Sequence, residues 1–239
     1  MTRWLTIAML TVLAVIMIAA VVELPRPGAP DAPVHTHVSA WYIDGGVEAG
    51  GADNLVAAVL LNYRALDTFG EVVVIFAALI AVLAVATVGP DQQAARGKQA
   101  DRGIDPIPIS PVVSYMVRLL APFIAAFALF VIVRGHLLPG GGFQGGAVLG
   151  AMLILLALFG KRSSPPVSRL SAPILPWLQV TGPLVFGLIA LAGIVIAGSA
   201  FGLPGQHLWR EAMMICLELG IAVGGAAVLY GLFKALEGD

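Results

Sequence analysis

Two apolar stretches of this sequence carry acidic residues that could do chemistry. Glu218 lies about seven residues inside the apolar run 211–233, or about 10 Å along it at the helical rise per residue. A carboxyl group at such a depth is rare and commonly serves proton or cation transfer. Three interpretations stay open for Glu218: an ion pathway, a hydrogen-bonded acid that holds helices together, or a group that faces lipid headgroups or a partner.

Glu211 and His136 are further candidates for an ion or proton pathway. Glu211 lies seven residues before Glu218 and would share its helix face. It is either the outer step of a hydrated path or, with Trp209 and Arg210, an interfacial anchor. His136 could change its charge near neutral pH. Alternatively, its ring could bond the last carbonyl groups of the preceding helix.

Asp67 and Glu71 form a third acidic group, in front of another apolar run. Thr68 and Glu71 have the spacing of a capping box, which predicts a helix start at this point. If the helix begins earlier, the two carboxyl groups share a helix face because they are four residues apart. The other interpretation places Glu71, together with Asp67, in a hydrated pocket that belongs to the pathway. Both interpretations stay open.

The elements that must position these groups are membrane-spanning helices. Hydrophobic residues make up 59% of the chain and charged residues 11%, against about a quarter charged in soluble domains. A spanning helix needs about 20 apolar residues, and six windows fit: 4–22, 68–88, 112–133, 146–159, 175–197 and 211–233. The apolar segment 53–63 is too short to span and predicts a half-helix. The predicted fold is therefore all-α, with about six transmembrane helices and one half-helix.

Basic residues are concentrated in alternate loops, which predicts an orientation. They cluster before the first span, in the loops after the second and fourth spans, and after the sixth. By the positive-inside rule, both termini should be cytoplasmic. A cleaved signal peptide is the alternative for the first span, but the residues that follow it, Glu23-Leu24-Pro25-Arg26, make a poor cleavage site.

Several ligand and partner classes are not expected. The near balance of 13 basic and 14 acidic residues gives no reason to expect nucleic acid, and a single cysteine excludes a disulfide framework. His35 and His37 form a pair without a third nearby ligand, so no metal is predicted. No cofactor motif and no nucleophile with its base are visible. We therefore expect neither a cofactor nor enzyme activity.

A glycine-dense segment separates the third span from the fourth. Its distinctive residues are Arg134, Gly135, His136, Pro139, Gly140, Gly141, Gly142, Phe143, Gln144, Gly145 and Gly146. Such glycine density indicates that another group approaches the backbone closely. A phosphate cradle would need a strand before it and a helix after it, and the sequence offers no such strand. The segment is better interpreted as a packing device at the outer face of the bundle.

This segment closely resembles the signature of the B subunit of the multisubunit Mrp-type sodium/proton antiporters. Separately, residues 62–71, which read Asn-Tyr-Arg-Ala-Leu-Asp-Thr-Phe-Gly-Glu, resemble a segment near the carboxyl end of the large A subunit of the same antiporters. That segment also occurs as the small E subunit of membrane-bound hydrogenases. The polar, charged residues 91–105 predict a cytoplasmic linker between two sections. The resemblance implies that section 1–90 is A/E-like with two spans and that section 106–239 is B-like with four.

The resemblance also implies a function and partners. The expected role is a non-catalytic membrane subunit in a bacterial or archaeal cell membrane, assembled with lipid and with subunits similar to A, C, D, E, F and G. Sodium ions and protons are the expected transported ions. Every lysine lies in a loop or tail, so the pumping core of the large subunits is missing and antiport by this chain alone is not expected. The alternative is a structural module of an energy-converting complex such as a membrane-bound hydrogenase, linking a redox arm to an ion-pumping arm.

Overall fold

The structure is a computed structural model that describes residues 2–87, 110–160, 173–202 and 207–237. Ten α-helices occur in these ranges: α1 Thr2–Val22, α2 Pro33–Thr36, α3 Val38–Gly45, α4 Leu55–Ala58, α5 Ala65–Thr87, α6 Pro111–Val133, α7 Gly142–Gly160, α8 Leu175–Gln179, α9 Thr181–Ala197 and α10 His207–Glu237. A π-helical turn, Val59–Tyr63, connects α4 with the start of α5. No strand occurs in the described ranges, so the predicted all-α class is confirmed. The predicted linker 91–105 lies outside the described residues.

Five of the described helices are long and apolar enough to cross a membrane: α1, α5, α6, α7 and α10. The predicted window 175–197 is instead two helices, α8 and α9, of which α9 is an apolar helix of 17 residues. Pro183 explains part of this break, because it has no N–H to donate to the carbonyl group of Gln179, four residues earlier. The fourth predicted window, 146–159, begins earlier than expected, since α7 starts at Gly142.

The chain divides into two compact units, Met1–Asp44 and Gly45–Asp239. In the first unit, every residue of α1 from Arg3 onward is exposed. In the second unit, α10 is the central element and packs against α5, α6, α7, α8 and α9. One polar side chain of this helix, that of Glu218, is buried inside the bundle.

Glycines on α7 and α10 allow the helices to approach closely. A Cβ atom on Gly146 would lie 2.9 Å from the Cα of Ala222, and one on Gly224 would lie 2.9 Å from the backbone nitrogen of Gly182. At both positions a larger side chain would push the helices apart. Small residues serve the same purpose in other transmembrane bundles.

The predicted half-helix is present as α4 and the π-helical turn. Its end differs from the prediction, because α5 begins at Ala65 and Thr68 already lies inside that helix. The buried hydroxyl group of Thr68 donates a hydrogen bond of 2.7 Å to the carbonyl oxygen of Leu60. The capping-box prediction for Thr68 and Glu71 is therefore wrong: the threonine joins the π-helical turn to α5 instead of capping a new helix.

Candidate functional site

Glu218 of α10 is buried where the glycine-rich segment meets that helix. Its side chain is among the few buried polar groups of the described residues, with 4% of its surface exposed. The backbone N–H of Gly142, at the start of α7, donates a hydrogen bond to its Oε2 atom. An N–H at a helix start is a favourable partner for a carboxylate. The interior of the bundle thus contains an acid with at least one oxygen atom held by backbone.

Three glycines make room for this carboxyl group. A Cβ atom on Gly135 would lie 2.8 Å from Oε1 of Glu218, and one on Gly141 would lie 2.9 Å from Oε2. A Cβ on Gly142 would lie 2.9 Å from the same Oε2 and 2.8 Å from Cβ of Ile221. Gly141 also has a φ of 132°, which side-chain-bearing residues rarely adopt. We call these three residues the glycine cradle; they explain part of the glycine density of the segment, and helix packing explains Gly145 and Gly146.

Asn54, which the sequence interpretation did not single out, holds the cradle in place. Its Nδ2 donates hydrogen bonds to the carbonyl oxygens of Gly135, at 2.7 Å, and Leu138, at 3.0 Å. Its backbone N–H donates to the carbonyl oxygen of His136 at 3.0 Å. Its Oδ1 accepts from the N–H of Val56 at 3.1 Å and so caps α4. The capping role was readable from an asparagine before an apolar helix, but the contacts with the cradle were not.

His136 and Glu211 form a second polar group beside the cradle. The Nε2 atom of His136 lies 3.1 Å from Oε1 of Glu211, and 4% of the histidine surface is exposed. The Nδ1 atom has no hydrogen-bond partner among the described residues. The alternative in which this ring bonds the last carbonyl groups of α6 is therefore wrong. Glu211 is half-buried, and its neighbour Arg210 donates a hydrogen bond of 2.7 Å to the carbonyl oxygen of Glu48.

Asp67 and Glu71 are placed differently from the other candidates. Both side chains are exposed on α5, and Asp67 forms an ion pair with Arg64, whose Nε lies 2.6 Å from its Oδ2. Neither residue lines the cleft next to Glu218. The structure therefore brings Glu218, the glycine cradle, His136 and Glu211 to one end of α10, and leaves the acids of α5 on another surface.

A small cleft adjoins Glu218. Its volume is about 20 Å³, which is room for roughly one water molecule. Leu60 and Leu61 of the π-helical turn form one wall, and Gly140 to Phe143 form another. No group of three or more His, Cys, Asp or Glu that could hold a metal ion occurs among the described residues. The arrangement can hold a proton or a small cation against a carboxylate, with a water molecule beside it.

Long apolar helices around a buried carboxyl group define the class: this is a multi-pass membrane protein. A family model for domains related to the MnhB subunit of Na+/H+ antiporters matches residues 112–233, and the chain belongs to this family. A model for the E subunit of MBH matches residues 3–90. The predicted resemblance to the antiporter B subunit, with an E-like segment before it, is confirmed.

Two curated relatives share part of this sequence. The probable K+/H+ antiporter A/B subunit of Rhizobium meliloti (strain 1021) is 25% identical over 187 residues, which is 72% of this chain and 18% of that protein. An uncharacterized protein of Methanocaldococcus jannaschii is 28% identical over 153 residues, which is 61% of this chain and 58% of that protein. The chain thus spans less than two thirds of either relative.

Two solved structures contain a similar chain. One is the membrane-bound sulfane sulfur reductase, an archaeal respiratory membrane complex. Its chain matches with a TM-score of 0.69 and 26% identity, over 98% of this chain and 97% of that chain. The other is the Mrp complex from Dietzia sp. DQ12-45-1b. Here the TM-score is 0.67 and the identity 25%, over 100% of this chain and 26% of that chain.

Proposed function

We propose that this chain is a membrane subunit of a multisubunit cation/proton antiporter complex and that Glu218 is an ion-handling group of its pathway. The observation that carries the proposal is the buried carboxyl group of Glu218 in the glycine cradle, beside a cleft with room for about one water. Ionisable groups inside a transmembrane bundle commonly mark ion or proton pathways, and this one is buried. Membership of the MnhB-related family supports the same class of complex.

In this proposal, Glu211 and His136 form the outer end of the route to Glu218. They lie at the same end of α10, and Nε2 of His136 contacts Oε1 of Glu211 at 3.1 Å. Asp67 and Glu71 are exposed on α5, so any role in the pathway would need a neighbouring subunit to cover them. The transported ions in this proposal are protons and sodium, and both termini are cytoplasmic.

The other subunits carry the rest of the machinery. The Rhizobium meliloti relative is several times longer, since this chain matches 18% of its length. We therefore place this chain beside subunits similar to A, C, D, E, F and G in a cell membrane, with no catalytic role of its own.

The test is Glu218→Gln in the assembled complex, reconstituted in vesicles. Glutamine keeps the shape and can still accept the Gly142 hydrogen bond, but it cannot bind or release a proton. We expect assembly to persist and pH-driven cation exchange to be lost. Glu48→Gln is the matched control, because Glu48 is an exposed acid of the same unit. Normal exchange by an assembled Glu218→Gln complex would remove Glu218 from the pathway.

A second function is supported by two of the comparisons. The chain of the sulfane sulfur reductase complex matches over 97% of its length, and the E subunit of MBH matches the first section. The chain would then be a structural module that links a redox arm to an ion-pumping arm. Purifying the complex through a tag on this chain separates the two functions: iron–sulfur or hydrogenase subunits in the preparation support the second, and antiporter subunits alone support the first.

A further inference from the structure

A second cleft lies next to the cleft of Glu218. Its volume is about 10 Å³, about enough for one water molecule. Phe143 and Ile221 line both clefts, so the two clefts adjoin each other at these two residues. Phe143 belongs to the glycine-rich segment, and its ring is only partly buried.

Gln179 gives the second cleft a buried polar group. It lies at the end of α8 with 7% of its surface exposed, and its Nε2 donates a hydrogen bond of 3.3 Å to the carbonyl oxygen of Ala227. The missing side chain of Gly231 makes room for this amide. Pro183, which also lines the cleft, leaves the backbone carbonyl of Gln179 without its usual helical donor. Polar groups in such a cleft are the partners that a buried water needs.

One glycine of α10, Gly225, lies at this cleft and differs from Gly220 and Gly224 in the space around its Cβ position. Cβ atoms on Gly220 and Gly224 would meet neighbouring atoms at 3.0 and 2.9 Å. A Cβ on Gly225, which lines the second cleft, would have no described atom within 4 Å beyond its own helix backbone. Helix packing explains the first two glycines but not the third. The open side of Gly225 instead enlarges the cleft.

We propose that a hydrated proton route continues from Glu218 into this second cleft, with Phe143 as the gate between the two and Gln179 as the group that orients water beyond the gate. The amide of Gln179 cannot itself take up a proton near neutral pH, so its role is to hold the water that relays one. This proposal rests on the proposed function of Glu218 and extends its route across the bundle. It also gives a role to Phe143 and Gln179, which the cradle does not use.

The first test fills the second cleft with a larger side chain. Gly225→Val adds methyl groups where the structure has space, so we expect the complex to assemble and exchange to fall to the level of the Glu218→Gln complex. Gly187→Val is the matched control: Gly187 is also a helical glycine with no described atom near its Cβ position, but it does not line the cleft. We expect Gly187→Val to leave exchange unchanged.

The second test measures water access without measuring exchange. Cys216 is the single cysteine of the chain, so Gly225→Cys in a Cys216→Ser background places one thiol in the cleft. Ag+ reacts with thiols that it can reach through water, and protection of the thiol against later alkylation in denaturant reports that reaction. We expect rapid protection at position 225, faster still with Phe143→Ala, and none for Ala226→Cys, which replaces a buried residue.

The outcomes separate the two proposals. If Glu218→Gln blocks exchange but Gly225→Val does not, and Ag+ fails to protect the thiol at position 225, the second cleft is outside the route and only this inference falls. If Glu218→Gln exchanges normally, the proposed function itself falls. Loss of exchange with Gly225→Val, together with protection by Ag+, supports the continued route.

Discussion

Replacing Asn54 by alanine should loosen the glycine cradle. Cation exchange through Glu218 should then slow, although the substituted residue does not contact Glu218. The change removes three side-chain hydrogen bonds: two donated to the carbonyl oxygens of Gly135 and Leu138, at 2.7 and 3.0 Å, and one accepted from Val56 at 3.1 Å. The backbone bond from Asn54 to His136 remains. The perturbation is therefore confined to the side chain.

The magnitude follows from these three bonds. Each is worth about 1 kcal/mol, and loss of a helix N-cap costs about the same. We expect the free energy of unfolding of the Asn54→Ala chain to fall by about 3 kcal/mol. Because the two carbonyl groups belong to the turn that contains the cradle, we also expect slower cation exchange per assembled complex.

The assay compares Asn54→Ala with Asn62→Ala. Asn62 also donates through Nδ2 to two carbonyl oxygens, those of Ala49 at 2.9 Å and Gly50 at 3.1 Å, but these belong to the loop before α4. Unfolding in mixed detergent micelles gives the stability loss of each variant, and vesicle exchange gives the activity. Asn62→Ala should lose about 2 kcal/mol and retain exchange.

Equal exchange by the two assembled variants would refute the positioning role of Asn54. A stability loss well under 1 kcal/mol for Asn54→Ala would refute the hydrogen-bond reasoning itself. Asn54→Asp adds a further check, because it keeps the Oδ1 cap of α4 but removes the two donated bonds. Its exchange should resemble that of Asn54→Ala.

Three more predictions concern neighbouring contacts. Gly142→Leu should prevent assembly, because even a Cβ at this position would clash with the backbone carbonyl oxygen of Glu218 and lie 2.8 Å from Cβ of Ile221; recovery of intact purified complex would contradict this. Thr68→Val should lower the free energy of unfolding by about 1–3 kcal/mol through the unpaired carbonyl of Leu60, and Thr68→Ser should restore most of it in the same unfolding assay. His136→Ala and Glu211→Ala form a double-mutant cycle in which the free energy of unfolding is measured for each variant and for the double variant. We expect a coupling free energy of about 1 kcal/mol between the two residues. Additive losses would show that the 3.1 Å contact between Nε2 of His136 and Oε1 of Glu211 contributes nothing to stability.

The helices were predictable because apolar length is a local property. Composition and runs of about 20 apolar residues place membrane helices without tertiary information, and α1, α6 and α10 lie close to their predicted windows. The break between α8 and α9 was missed, although Pro183, which explains part of it, is visible in the sequence. The start of α5 stayed open between two positions, and the structure decides for the earlier one, with Thr68 bonded to Leu60 of the π-helical turn.

The candidate site was only partly predictable. Glu218 stood out because an acid inside an apolar run is rare, and the glycine segment stood out by its density. That the two meet could not be inferred, since Gly142 and Glu218 are 76 positions apart in the chain. Gln179 gave a weak signal, because a glutamine near the start of the predicted window 175–197 resembles an ordinary helix end until its burial is known.

The sequence by itself determined that this protein lies in a lipid bilayer, where its long helices run and to which family it belongs. These properties are local, because apolar runs and the glycine-dense motif consist of residues that are neighbours in the chain. Only the tertiary structure decided what the glycines of the cradle do. They remove side chains where a carboxyl group from another helix must fit against backbone, and Asn54, 81 positions before Gly135, holds that backbone in place. A pattern of residue types reveals that space is needed; only packing reveals which group occupies it.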